Sequence, residues 1–125
     1  MNFNTLIITL KQKISKEKIK ELAEATYQSM FKLAVDIQRG LIAAGGEFHA
    51  DGEQLLITDG SEQKNIWGAN FYPFNGPHDR LEYSALINIR PQAGNKSMNV
   101  EDPAVRKKMK EIIERLLFGE KDEIT

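Results

Sequence analysis

This sequence predicts an α+β domain, in which an antiparallel or mixed sheet of about five strands carries two long helices packed on one face. Three observations lead there. Two segments, one after Ser15 and one after Asp102, repeat apolar residues at helical spacing behind a capping side chain. Several short runs of β-branched or aromatic residues alternate with period two between Gly and Pro breakers. The 125-residue chain shows no internal repeat and no low-complexity linker, which suits one domain. Residues 1–119 are assigned to that domain, and the charged tail 120–125 is expected to fray.

Residues 5–10 are short and β-branched and form the first expected strand. Ser15 is placed to cap the first helix, with Ile14 and Ile19 as a hydrophobic staple across the cap. Ile19, Leu22, Ala23, Thr26, Tyr27, Met30 and Phe31 then follow the template of an amphipathic helix. Its end has two readings. It runs on through Ala34 and Ile37 to Gly40, or it stops near Lys32 and residues 34–37 and 41–44 form a hairpin with Gly40 in a left-handed bulge position. The hairpin is preferred.

Gly45-Gly46 bends the second arm. Glu47, Phe48 and His49 read as a strand end, and residues 51–57 as a short helix stopped at Gly60, with a strand as the alternative. Residues 66–72 form a further strand, with Trp67 and Phe71 on its buried side. Residues 73–79 are a breaker-rich loop holding His78 and Asp79, where proton transfer would need a defined pocket. Residues 81–90 alternate as a strand. Tyr83, Ala85, Ile87 and Ile89 lie on one side, Glu82, Ser84, Asn88 and Arg90 on the other, and Leu86 breaks the pattern. Asp102 and Pro103 start the last helix, with Val105, Met109, Ile112, Ile113 and Leu116 as its buried stripe and Gly119 as its C-terminal stop.

Composition removes several function classes. Lys and Arg number 17 against 18 Asp and Glu, a net charge of −1, so no global field holds a nucleic-acid backbone. Lys16, Lys18, Lys20 and Lys32 offer a weak RNA-binding alternative, set against an ordinary solvated helix face. No cysteine is present, so thiol catalysis and Cys-ligated zinc are excluded. No run approaches the length of a membrane span, and a cytoplasmic location is expected. The glycine runs match neither nucleotide-binding fingerprint, and no nucleophile elbow surrounds Ser84 or Ser97. No cofactor or metal is expected.

The leading site candidate is the stretch where the polar strand meets a compact loop. Pro91 ends the ladder, and Gly94-Asn95 tolerates positive φ, so successive N–H groups would form a concavity suited to an anion, with Arg90 beside it and Ser97 at its end. Asn88, Arg90, Gly94, Asn95 and Ser97 are therefore the expected ligand contacts, joined by Asn70. The rival reading is an acid/base or metal-dependent hydrolase using His49 with Glu47 and Asp36, and Arg90 against developing negative charge. Both readings rest on one geometric expectation, that His49, Asn70, Asn88 and Arg90 line a single cavity. Tyr72 and Phe74 suit an interface rim.

The runs Gly45-Gly46-Glu47-Phe48-His49-Ala50-Asp51, Trp67-Gly68-Ala69-Asn70 and Asn88-Ile89-Arg90-Pro91 with Gly94-Asn95 resemble a small prokaryotic family of unknown function. The resemblance covers residues 15–117 and implies no reaction, cofactor or catalytic residue. It also implies an acidic residue where this chain has Gln38, a departure that counts against a carboxylate metal site. From the polar alternation at Glu82 to Arg90 and the absence of a catalytic motif, the function expected is a binding or interaction module for a small anionic ligand or a protein partner, acting as a homodimer.

Overall fold

The computed structural model describes residues 6–119 and 122. The expected frayed tail lies outside them except for Asp122, whose carboxylate accepts from Gly119 N at 2.9 Å. The fold is α+β. Strands β1 (Ile7–Leu10), β2 (Phe31–Asp36), β3 (Leu41–Gly45), β4 (Ile66–Phe71) and β5 (Leu81–Glu82) form one sheet in the order β1-β3-β2-β4-β5, with every neighbouring pair antiparallel. Helices α1 (Lys16–Ala25), α2 (His49–Thr58) and α3 (Pro103–Leu116) complete it. Among the described residues no helix is long and apolar enough to cross a membrane.

The caps are as read: Ser15 Oγ accepts from Lys18 N and Asp102 Oδ1 from Ala104 N. Helix α1 nevertheless stops at Ala25, short of the expected Lys32. Gln28 takes a left-handed φ of 68°, and its N–H turns back to Ala23 O at 2.7 Å. A glutamine in that position carries no sequence signal, because glycine is the residue that normally marks it. Met30 and Phe31 matched the helical template only because the alternation Phe31, Leu33, Val35 begins there.

The hairpin reading holds, with β2 starting three residues before the expected Ala34. Its turn is tied by Asp36, whose Oδ1 accepts from Gln38 N at 2.9 Å and Arg39 N at 3.0 Å, while Gly40 has φ 69°.

Alternation along the central strands sends side chains into two apolar clusters. Leu33, Val35, Ile42, Ala44, Trp67, Ala69 and Phe71 join the buried stripes of α1 and α3. Ala34, Leu41, Ala43 and Ile66 join Leu56 of α2. The second face is made of small residues so that α2 can lie close: a Cβ on Gly52 would sit 3.1 Å from that of Ala34 and 3.3 Å from that of Ala43. The expected hydrophilic surface opposite the first cluster is therefore covered. Ile66, Trp67, Gly68, Ala69, Asn70 and Phe71 are all buried.

Candidate functional site

The expected strand over residues 81–90 pairs only at Leu81 and Glu82. Beyond it the chain folds into single 3₁₀ turns at Leu86–Asn88 and Pro91–Ala93, and Ser84 bridges Asn99. Asn88 explains the departure. It is fully buried, its Oδ1 accepts from Gly68 N at 2.8 Å, and its Nδ2 donates to Gly68 O at 3.0 Å and Met98 O at 2.9 Å. One side-chain amide thus does for β4 what a neighbouring strand's peptide would do. Asn95, also buried, donates to Asn88 O and Asn99 O, each at 2.8 Å, and accepts from Glu101 N.

An anion is held at Lys96 and Ser97, not at the expected Gly94-Asn95, and it is a carboxylate of the same chain. Glu101 Oε2 accepts from Lys96 N and Ser97 N, both at 2.9 Å, and from Ser97 Oγ at 3.0 Å. The Ser97 hydroxyl and those two amides hold the Glu101 carboxyl below its ordinary pKa. The N–H of Gly94, whose φ is 83°, goes to Pro91 O, and that of Asn95 goes to Arg90 O. Arg90 is likewise engaged. Its Nη2 donates to Ile66 O and meets Glu53 Oε2 at 3.5 Å, and its guanidinium lies 4.8 Å from the Trp67 ring centre.

His49, Asn70, Asn88 and Arg90 therefore do not share one cavity. Asn88 is internal, and Arg90 lines a depression of about 370 Å³ with Glu53, Gln92 and Ile89. His49 and Asn70 line a separate cavity of about 440 Å³, on the other side of Leu86 and Ile87. Lys32, Glu82 and Ser84 complete its polar part, while Phe48, Leu86 and Met98 stand at its rim, 60%, 71% and 42% exposed. Apolar walls around a few convergent polar groups are the usual build of a small-molecule site, and this volume lies in the range of roughly 300–1,000 Å³.

The orientation of Asn70 is set by its donor end. Nδ2 gives a hydrogen bond to Glu82 Oε1 at 2.7 Å, and Ser84 O lies 3.4 Å away. Reversed, the amide would set oxygen against oxygen. Oδ1 is thus the remaining end, buried and accepting no hydrogen bond while the His49 ring is neutral. The His49 ring lies beside it, but its Nε2 is 2.9 Å from Ala69 O, so that nitrogen carries the proton.

Burial of the ring, the largest cause, and the nearby Lys32 hold the His49 pKa below its ordinary 6.5, against opposing effects of Ala69, Asn70 and Glu82. The unfolded chain therefore binds this proton more readily, and stability falls as pH drops from about 7 through the window below 6.5. In urea unfolding between about pH 7 and 5, His49→Gln is expected to flatten this limb. Equal slopes for the two proteins would assign the pH dependence elsewhere. Asp59, Glu101 and Asp122, whose carboxyls have lowered pKa values, lose their contribution only at more acid pH.

The carboxylates of the hydrolase reading are not assembled around His49. Asp36 is buried in the hairpin turn, and no group of three or more His, Asp or Glu among the described residues is placed to hold a metal ion. His49 opens α2 instead of ending a strand, and the Asp51 carboxylate accepts from Phe48 N at 2.9 Å at the start of that helix. The Glu47 carbonyl takes the Tyr27 hydroxyl. The RNA-binding lysines are dispersed: Lys16, Lys18 and Lys20 alternate around α1, Lys18 pairs with Glu21 at 3.2 Å, and Lys32 sits on β2.

Residues 7–116 match the model of a family described as "Protein of unknown function (DUF5674)". The chain belongs to this family. Neither curated proteins nor solved structures give a match. Membership of DUF5674 thus agrees with the resemblance carried by the sequence motifs and assigns no reaction. The runs that carried the resemblance have structural work in this chain: the Asn88 amide clamps both backbone groups of Gly68, and Gly94 and Asn95 form the turn after it. Sequence reasoning missed Phe48, Leu86, Met98, Lys32 and Glu82 as cavity residues. One signal was present, since Leu86 is the apolar exception on an otherwise polar strand face.

Proposed function

We propose that this is a cytoplasmic binding protein for a small amphiphilic molecule, held in the cavity between α2 and the Leu86 turn. The observation that carries the reading is Asn70 Oδ1, a buried acceptor with its amide orientation fixed and no donor to it while the His49 ring is neutral, at a cavity rimmed by exposed Phe48, Leu86 and Met98. A ligand that fits has an apolar body and a hydrogen-bond donor at one end, a hydroxyl, amine or amide N–H directed at Asn70 and Glu82. Leaving a buried acceptor unmade is costly, so such a donor contributes selectivity as well as affinity. The polar end also meets the Lys32 ammonium, which favours a head group carrying an acceptor beside its donor.

A thermal-shift and ligand-observed NMR screen of small amphiphiles with and without such donors tests this. Donor-bearing compounds are expected to raise Tm and their donorless analogues to do so far less. Asn70→Leu and Leu86→Glu are each expected to weaken the best compound by about tenfold or more, about 1.4 kcal/mol. A screen without hits, or hits that bind both variants as tightly as the parent protein, would overturn the reading.

A further inference from the structure

Arg80 is 6% exposed, yet it is paired with no carboxylate among the described residues. Its Nε donates to Asn75 O at 3.3 Å and its Nη1 to Gly119 O at 3.0 Å, and the guanidinium lies 4.3 Å from the Phe118 ring centre. Among the described residues no carboxylate comes within ion-pair distance of it. A guanidinium keeps its charge and offers five N–H donors. Two carbonyls and a ring face offset part of the cost of burial, but they do not neutralise the cation.

The same side chain lines a cavity of about 200 Å³ with His78, Tyr83, Lys110 and Glu114. That volume is below the roughly 300–1,000 Å³ of sites for larger organic ligands, which points to a small ion. The tyrosine is a ready donor, because its hydroxyl is protonated at neutral pH, and burial only raises its pKa further. Among the described residues Glu114 is the one carboxylate lining the cavity, and it opposes an anion there. This cavity shares no lining residue with the Asn70 cavity. Leu81 and Tyr83 face the one, and Glu82 and Ser84 the other, as alternation along an extended segment requires.

We propose that this cavity binds a small oxyanion, a carboxylate or phosphate group, with the Arg80 guanidinium as its charge partner and the Tyr83 hydroxyl as a second donor. The test is titration of the full chain with sodium phosphate and, separately, sodium acetate, at ionic strength held constant with sodium chloride. Calorimetry gives the affinity, and amide NMR shifts at residues 78–83 give the place. At least one anion is expected to saturate in the millimolar range. Glu114→Gln is expected to tighten it several-fold, Arg80→Gln to abolish it, and Asn70→Leu to leave it unchanged. Two results would overturn the site: no saturable binding of either anion up to about 20 mM, or binding that a folded Arg80→Gln protein retains. If Arg80→Gln does not fold, Glu114→Gln and Tyr83→Phe decide, and unchanged affinity in both rejects the proposal.

Discussion

Replacing Asn88 with alanine is expected to lower folding stability by about 3–5 kcal/mol, a large share of the roughly 5–15 kcal/mol that holds a domain folded. The change removes three hydrogen bonds and leaves Gly68 N and Gly68 O without partners in a place water does not reach, while Met98 O keeps the N–H of Ala85. Each such group costs about 1–3 kcal/mol, and partial collapse around the deleted amide recovers some of the total. Asn88→Asp should be at least as damaging, since it keeps the acceptor for Gly68 N but sets a carboxylate against two carbonyl oxygens. Urea midpoints of both variants, with unchanged m-values, provide the measurement. A loss below about 1 kcal/mol would mean that β4 does not need this side chain to complete its edge.

The second large effect is at Gly68, which faces the same segment. A Cβ built there would lie 2.4 Å from the Ala85 Cβ and 3.1 Å from Ile87 Cγ1. Gly68→Ala is expected to cost about 2–3 kcal/mol by forcing the 85–88 turn off β4 and stretching the Asn88 clamp. The cause can be isolated with a double variant. Ala85→Gly removes the closest clash, so Gly68→Ala with Ala85→Gly should recover at least half of the loss, although Ala85→Gly alone destabilises. Additive losses would show that the defect arises within β4. Because the turn carries Leu86 and Ile87 into the ligand cavity, Gly68→Ala should also weaken the compounds found with the parent protein.

The parts of the fold legible in the sequence are those decided by neighbours along the chain. Ser15 and Asp102 capped the helices expected of them, since a capping oxygen and the N–H groups it serves lie within three residues. The turn over residues 37–40 was readable for the same reason, with Asp36 and Gly40 inside one hairpin. Where α1 ends was not, because a left-handed glutamine at Gln28 depends on Phe31 being drawn into the sheet. Residues 81–90 were misread for a related reason. Their alternation is real, and it still sends Glu82 and Tyr83 to opposite sides. Whether an alternating run joins a ladder, however, depends on what occupies the strand edge, and here Asn88 does.

The candidate site divides along the same line. His49 and Asn70 were named from residue type, and both line one cavity, His49 half-buried and Asn70 buried. Arg90, Asn95 and Ser97 were named by the same reasoning, and their polar atoms bond to Ile66 O, Asn88 O and Glu101. Nothing in a one-dimensional pattern distinguishes a polar group reserved for a ligand from one used by a distant backbone.

Alone, then, the sequence determined the α+β class, both long-helix starts, the β2–β3 hairpin and the family. Only the tertiary structure decided that the sheet is covered on both faces and that an internal carboxylate fills the anion loop. Among the described residues it also left the Asn70 and Asp36 side-chain oxygens with an open acceptor and Arg80 without a carboxylate, while Arg90 is paired. The physical reason is distance along the chain. Caps and turns are settled within a few residues, whereas Asn88 meets Gly68 20 residues away and Arg80 meets Gly119 39 residues away.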